Sequence, residues 1–568
     1  MNTALYKTND SDFRVTQLTK LAGIFNSNHN VQSQFNIEGE LNMLFSISNQ
    51  ESPDILLLND ILTKIASYYT NLNFSHNYDV ILNNQMIFPI LNNLISRNNS
   101  AEIRRSSFMV ILALISFNED ILLKFIEYGL YSKLFDILAD KNYDMDGYFI
   151  VSRLLFCIFS YQNGPIIQQF LNSPLPDHLI KLLIHFSYDR LDDTQTQFII
   201  DAFSARQKSF LQFDDTQLNA KYPQERLPSE VKQNLFLKAS FEDLIFAIIQ
   251  HLYHDCGSPN DDTTDSVLRA MTNIISTANK TYLVSQVAYC LTAMINVSRL
   301  AQEKSVENGL IQCLNNFLSS YQFEIAWPYI ICADITILKN FKEKILKSSN
   351  DKEKELYYNL VTQILNSVTP SKLFILITQV SKEYGEKEVQ YQEKFDSSIL
   401  ECFSLIFYFN HGIIVEDIGE NENRELFLTL GQFRQILDVH NLSDDGISYF
   451  LKEKGILFVF AAIDTQNYLS VRLDIINILI GEYHALIPFI LQSSSDEMKK
   501  LILIVLIKLA NKLIINENQG NKNNSNQIID FLNSDDMSSS TEELQKSDDR
   551  ELLSLLDNFT DMTEKMFS

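Results

Sequence analysis

An all-α chain built as a stacked helical solenoid is the fold class this sequence predicts, on three observations. Apolar residues make up 46% of 568 positions and recur mostly three and four apart, the period of a helix face. Glycine and proline number only 15 and 11, too few for an architecture that turns every ten residues. A short pattern, Glu-x-Gly followed by Leu or Ile, returns around Gly129, Gly309 and Gly455, and internal repetition marks a repeat array.

Taken in order, residues 1–50 are polar, with short helices expected at 13–25 and 39–48. From Asp54 the helical period steadies through DILLLNDILTKIASYYTNL and QMIFPILNNLISR. The stretch 104–171 then carries the first copy of the pattern: Glu127-Tyr128-Gly129-Leu130, with Leu134 and Leu138 downstream. The second reads Glu307-Asn308-Gly309-Leu310, with Leu314 and Leu318 at the same offsets, and a looser third reads Glu453-Lys454-Gly455-Ile456. Apolar helices lie upstream of the first two, at 108–117 and 287–297. The physical reading is a helix that ends where glycine takes the left-handed position, followed by a second helix whose leucines face the first. One such hairpin cannot bury its apolar stripe; stacked copies can. The spacing resembles armadillo repeats, so the architecture expected over residues 1–515 is an armadillo/HEAT-like superhelical solenoid. Residues 189–232 and 254–265 read as polar excursions, and the stretch 144–161 has no evident second copy.

Past Ile515 the composition changes. NENQGNKNNSNQ opens a low-complexity linker, read as disordered over 516–539. Ser540-Thr-Glu-Glu543 is a capping-box pattern that would start an amphipathic tail helix over 540–568. Leu552, Leu553, Leu556 and Phe559 supply its apolar face, suited to docking on a partner or back on the array. Ser494, Ser539 and Ser540 each have an acidic residue three positions on, the pattern an acidophilic kinase reads, which makes them candidate phosphorylation sites.

Formal charge is −25, which disfavours nucleic acid and anionic membrane and favours basic partners. Apolar runs reach only about eight residues against the ~20 a span needs, so no transmembrane helix is expected. Six scattered cysteines without a CxxC suit reduced thiols in the cytoplasm. His251, His254 and Cys256 are close in sequence but lack a further ligand cluster, so no metal site is expected. No phosphate-binding loop, GxGxxG, GxSxG or HExxH occurs. The expectation is a monomeric binding protein with no cofactor and no catalytic residues.

The run Asp144-Met-Asp146-Gly-Tyr-Phe-Ile-Val-Ser-Arg153-Leu-Leu-Phe156, with Tyr161, resembles a segment of the synembryn family (resistance to inhibitors of cholinesterase 8), in its fungal form. Thr541-Glu-Glu and Glu551-Leu-Leu-Ser-Leu-Leu-Asp-Asn-Phe559 are similar to that family's tail helix. The family's Gly-rich core signature is absent; the comparable region reads GEYHALIPFILQ. The resemblance implies an armadillo protein that binds G-protein α subunits as exchange factor and chaperone by stabilising the nucleotide-free state. Arg153 would either contact the partner or bridge Asp144 and Asp146. Two other readings stand beside it: a non-enzymatic armadillo scaffold or transport adaptor, and a regulator of small GTPases whose acidic groove takes basic tails.

Overall fold

The computed structural model describes residues 36–50, 53–70, 78–139, 145–205, 216–256 and 261–369 apart from a few single positions, short pieces of 372–409 and 486–511, and residues 526–567. The third glycine copy, at Gly455, and the helix expected at 13–25 lie outside the described residues. Every described element is helical, with no strand among the described residues. Two compact units divide at residue 290, and each is taken by itself.

In the first unit, α1 is Ile37–Ser48, α2 Ile55–Thr70, α3 Asp79–Asn83, α4 Ile87–Leu94, α5 Ala101–Ile115, α6 Glu119–Glu127 and α7 Leu130–Leu138. Then come α8 Met145–Phe159, α9 Gly164–Leu171, α10 Leu175–Phe186, α11 Asp193–Ala205, α12 Thr216–Lys221, α13 Ser229–Cys256 and α14 Asp261–Ser276. They stack in two ranks. Helices α2, α5, α8 and α13 each pack on the next, and so do α4, α7, α10 and α14. Each repeat is therefore long helix, short helix, second-rank helix: α2–α3–α4, α5–α6–α7, α8–α9–α10. This is the armadillo-type arrangement that the glycine spacing predicts. Nearest-neighbour packing buries Phe108, Ile111 and Leu114 of α5 and Leu130, Leu134 and Leu138 of α7.

The glycine turn works as expected. Gly129 and Gly309 have φ of 87° and 76°, where a Cβ meets its own backbone. The two copies agree bond for bond. Asn118 and Ser298, eleven residues upstream, each cap the short helix by accepting from a backbone N–H, 3.1 and 3.2 Å. Gly129 N–H donates to Ile126 O at 2.9 Å and Gly309 N–H to Val306 O at 3.0 Å. Lys124–Glu127 and Lys304–Glu307 pair at 2.7 and 2.6 Å. Gly309→Ala should cost about 1–2 kcal/mol, because the strain is in the backbone rather than in any clash; urea denaturation monitored by circular dichroism measures it.

Three expectations are corrected. The described parts of the excursion, 189–205 and 216–232, are folded: Phe198, Ala202, Leu218, Tyr222 and Leu227 form a small core with Phe236. Within 254–265, helix α13 runs to Cys256 and α14 begins at Asp261, so only 257–260 fall outside the described residues. The stretch 144–161 does have counterparts, because α8 is the long helix of the next repeat, stacked on α5. Its repeat escapes the glycine pattern because its own second-rank helix starts at Ser173-Pro174-Leu175-Pro176. There proline near the first turn and Ser173 Oγ, which accepts from Leu175 N–H at 3.3 Å, replace the glycine turn.

The second unit contains α16 Arg299–Glu307, α17 Leu310–Asn315, α18 Trp327–Lys347, α19 Asp351–Leu365, α20 Leu486–Ser493, α21 Asn526–Leu532, α22 Asp535–Leu544 and α23 Arg550–Phe567; α15, Val284–Val297, crosses the division. Helices α16 to α19 form one packed group. Trp327 opens α18 fully buried, its indole N–H donating to Phe317 O at 3.0 Å.

Candidate functional site

Two places carry the residues the sequence singles out. The first is α8. Val151, Leu154, Leu155 and Ile158 are buried, which seats the helix between α5 and α13. Arg153 is half-buried on this central helix. Asp144 lies outside the described residues, and Asp146 is placed in the first turn only as backbone, so the expected bridge from Arg153 to either carboxylate lies outside what is described.

The second is the C-terminal helical pair, α22 and α23. Leu552, Leu556 and Phe559 are buried and Leu553 is half-buried, so the predicted apolar face is real and the chain itself covers it. Helix α23 packs on α22, and α22 on α20. Asp549 caps α23, its Oδ1 accepting from the N–H groups of Glu551 and Leu552 at 3.0 and 3.1 Å. Lys500 Nζ clasps Asp549 and Glu551, each at 2.8 Å. Those two hydrogen bonds raise the Lys500 pKa, and the Asp549 carboxyl is held below the usual range, first by Lys500. The clasp is solvent-facing, so salt screens it.

The boundaries of the tail are corrected. Residues 526–532 and 535–544 are helices rather than linker, leaving 516–525 outside the described residues. Ser534 is the N-cap of α22, accepting from Met537 N–H at 3.3 Å, so the capping box at Ser540 is not a helix start. Ser540 instead sits fully buried within α22. Its hydroxyl lies 3.1 Å from Pro488 O and 2.8 Å from Asp536 O and accepts from Gln492 Nε2 at 3.1 Å. Modification there requires the pair to undock. Ser539 is exposed, and Ser494 lies outside the described residues. Leu556→Ala should loosen the pair by about 2–5 kcal/mol, seen as faster hydrogen exchange confined to residues 535–565.

Seen from outside, the pair is acidic. Between 526 and 567 there are eleven acidic and three basic residues, and Asp557, Asp561 and Glu564 line the exposed side of α23. Among the described residues no group of three or more histidine, cysteine or acidic side chains is placed to hold a metal ion. The side chains of His251, His254 and Cys256 lie outside the description. Cys290 and Cys402 are buried thiols outside any disulfide, their pKa values pushed up by burial. No described helix is long and apolar enough to cross a membrane.

No family model matches the sequence, and no curated protein sequence matches it. Among solved structures the chain is similar to an engineered protein, at 12% identity and TM-score 0.49, covering 94% of this chain and 99% of that one. It is also similar to SYS-1, at 11% identity and TM-score 0.45, covering 98% and 97%. A chain from a structure of the cadherin and beta-catenin interaction follows, at 10% identity and TM-score 0.41, covering 97% and 95%.

Sequence reasoning found the apolar stripe of α23 because period 3.6 is local. It missed Lys500, Gln492 and Pro488, which meet the tail only through tertiary packing. The alternation of a basic residue at 500 with acids at 549 and 551 has no signal along the chain.

Proposed function

We propose that this chain is a non-enzymatic helical-repeat scaffold that holds a protein partner through a basic segment. The observation that carries the reading is the stacked array of three-helix repeats in residues 55–276, an extended surface of repeated helix faces. The acidic balance of the chain supports a basic partner, since opposite charge speeds encounter and disfavours acidic competitors. The test is titration of the full chain with a lysine/arginine-rich peptide and with its acidic counterpart. Binding of the basic peptide alone, weakening as salt rises, supports the reading; equal binding of both removes it.

The resemblance to the synembryn family supports a finer form, in which the partner is a G-protein α subunit bound best without nucleotide. Exchange needs no catalytic side chain, only stronger binding to the empty state. Labelled GDP on a purified α subunit should leave faster in the presence of the chain. A small GTPase assayed in parallel separates this from regulation of small GTPases. Arg153→Ala should weaken such binding at least about tenfold if Arg153 touches the partner, with an unchanged melting curve. Loss of the melting transition assigns Arg153 to architecture instead.

A further inference from the structure

The same unfinished bonding pattern occurs once in each unit, between a buried acid and a buried amide. In the first unit the Gln286 amide on α15 donates to the Asp243 carboxylate on α13. Asp243 Oδ1 and Gln286 Oε1 are then both buried without a hydrogen-bond partner. In the second unit Asn315 Nδ2, at the end of α17, donates to Asp334 Oδ1 on α18 at 3.2 Å. Here Asp334 Oδ2 and Asn315 Oδ1 are the two left over. All four leftover atoms are acceptors, and an acceptor kept from water without a donor is costly. One hydrogen per pair satisfies both, because a protonated carboxyl donates from one oxygen and accepts at the other.

We propose that each pair closes on one proton taken from solvent, the acid O–H donating to the amide oxygen while the amide N–H donates to the other carboxyl oxygen. Each closed pair is a two-bond latch between helices, α13 to α15 and α17 to α18. Loss of the proton sets two acceptor oxygens against each other and opens the latch. The charged neighbours of Asp243 are engaged with one another, Glu242 with Lys280 and Lys238 with Asp189. Tyr282, whose hydroxyl donates to Glu242, also faces Asp243. Asp334 faces the buried Cys402 thiol and Lys372, whose Nζ donates to Ser367 O at 2.8 Å and to Asn315 O at 3.4 Å. Burial outweighs these partners and pushes the Asp243 carboxyl up to about 6 and that of Asp334 to about 8. Both values lie above the ordinary 3.8, so the closed latch holds a proton that an opened segment releases. Its contribution is complete below about pH 4 and is lost as pH rises through about 6 at Asp243 and about 8 at Asp334. The two latches therefore release in turn.

Hydrogen exchange of the full chain, corrected for the pH dependence of a free amide, tests this against Asp243→Asn and Asp243→Leu. Asparagine keeps both bonds at every pH, since an amide pairs with an amide; leucine keeps the bulk and neither bond. Protection of residues 284–290 in the wild type should match Asp243→Asn near about pH 4 and fall below it at least about tenfold by about pH 6.5, approaching Asp243→Leu. The gap between wild type and Asp334→Asn in residues 327–345 should go on widening to about pH 8. Wild-type and Asp243→Asn curves that run parallel over the whole range overturn the proposal, as does equal protection in Asp243→Leu and Asp243→Asn. One shared midpoint for the two gaps overturns it too, since a global effect of pH would then be the cause.

Discussion

Glu242→Gln should destabilise the first unit by about 3–5 kcal/mol, the cost of leaving one charge buried without its partner. Glu242 and Lys280 are both almost wholly buried and meet at 2.5 Å. Lys280 also donates to Phe186 O at 2.9 Å, and Tyr282 hydroxyl donates to the second Glu242 oxygen at 2.6 Å. The set ties α10, α13 and the connection after α14 into one node. Burial dominates Lys280 and lowers its pKa, against the pull of Glu242, so removing that pull strands the ammonium. The double replacement Glu242→Met with Lys280→Met should recover most of the loss, because apolar pairs replace buried ion pairs at little net cost. Chemical denaturation of the three variants decides it; a single-variant cost under about 1 kcal/mol would contradict the buried-pair account.

The second large effect is a loss of stability with rising pH that depends on Asp334. This residue is fully buried in α18, and burial pushes its pKa up to about 8. Its Oδ1 accepts from Asn315 Nδ2 at 3.2 Å, and the same amide donates to Ser367 Oγ at 3.0 Å. Asp334 Oδ2 and Asn315 Oδ1 are buried without hydrogen-bond partners. The folded pKa lies above the ordinary value of 3.8, so the folded state holds a proton that the unfolded chain releases. That contribution is fully present below about pH 4 and is lost as the pH rises through about 8, at up to ~1.4 kcal/mol per pH unit between. Asp334→Asn keeps the shape without the titration. It should flatten the slope between pH 5 and pH 8 and be the more stable protein at pH 8. An unchanged slope in urea melts across that window would show that other groups govern it.

Both nodes were invisible along the chain. Glu242 lies 38 residues from Lys280 and 56 from Phe186, and Asp334 lies 19 from Asn315. Nothing local marks such residues as buried, because a lone charge within an apolar run reads as a solvated face. The same limit hid the grip on the C-terminal pair by Lys500. It also made Ser540 look like a helix cap, when Ser534 caps the helix and Ser540 lies inside it. The repeat copy at 145–186 was missed for a different reason. Its turn uses proline where the copies at Gly129 and Gly309 use glycine, so a pattern keyed to one solution passes over the other.

By itself, the sequence determined the helical class, the left-handed turns at Gly129 and Gly309, and the apolar stripe of the last helix. Each rests on local rules: a 3.6-residue period, and a conformation that only glycine takes without strain. Only the tertiary structure decided the phase of the repeats, the small core that Phe198 and Ala202 share with Leu218, Tyr222 and Leu227, and the burial of that last stripe against the chain itself. Those depend on which surfaces meet, and pairing between distant segments leaves no period in the sequence to read.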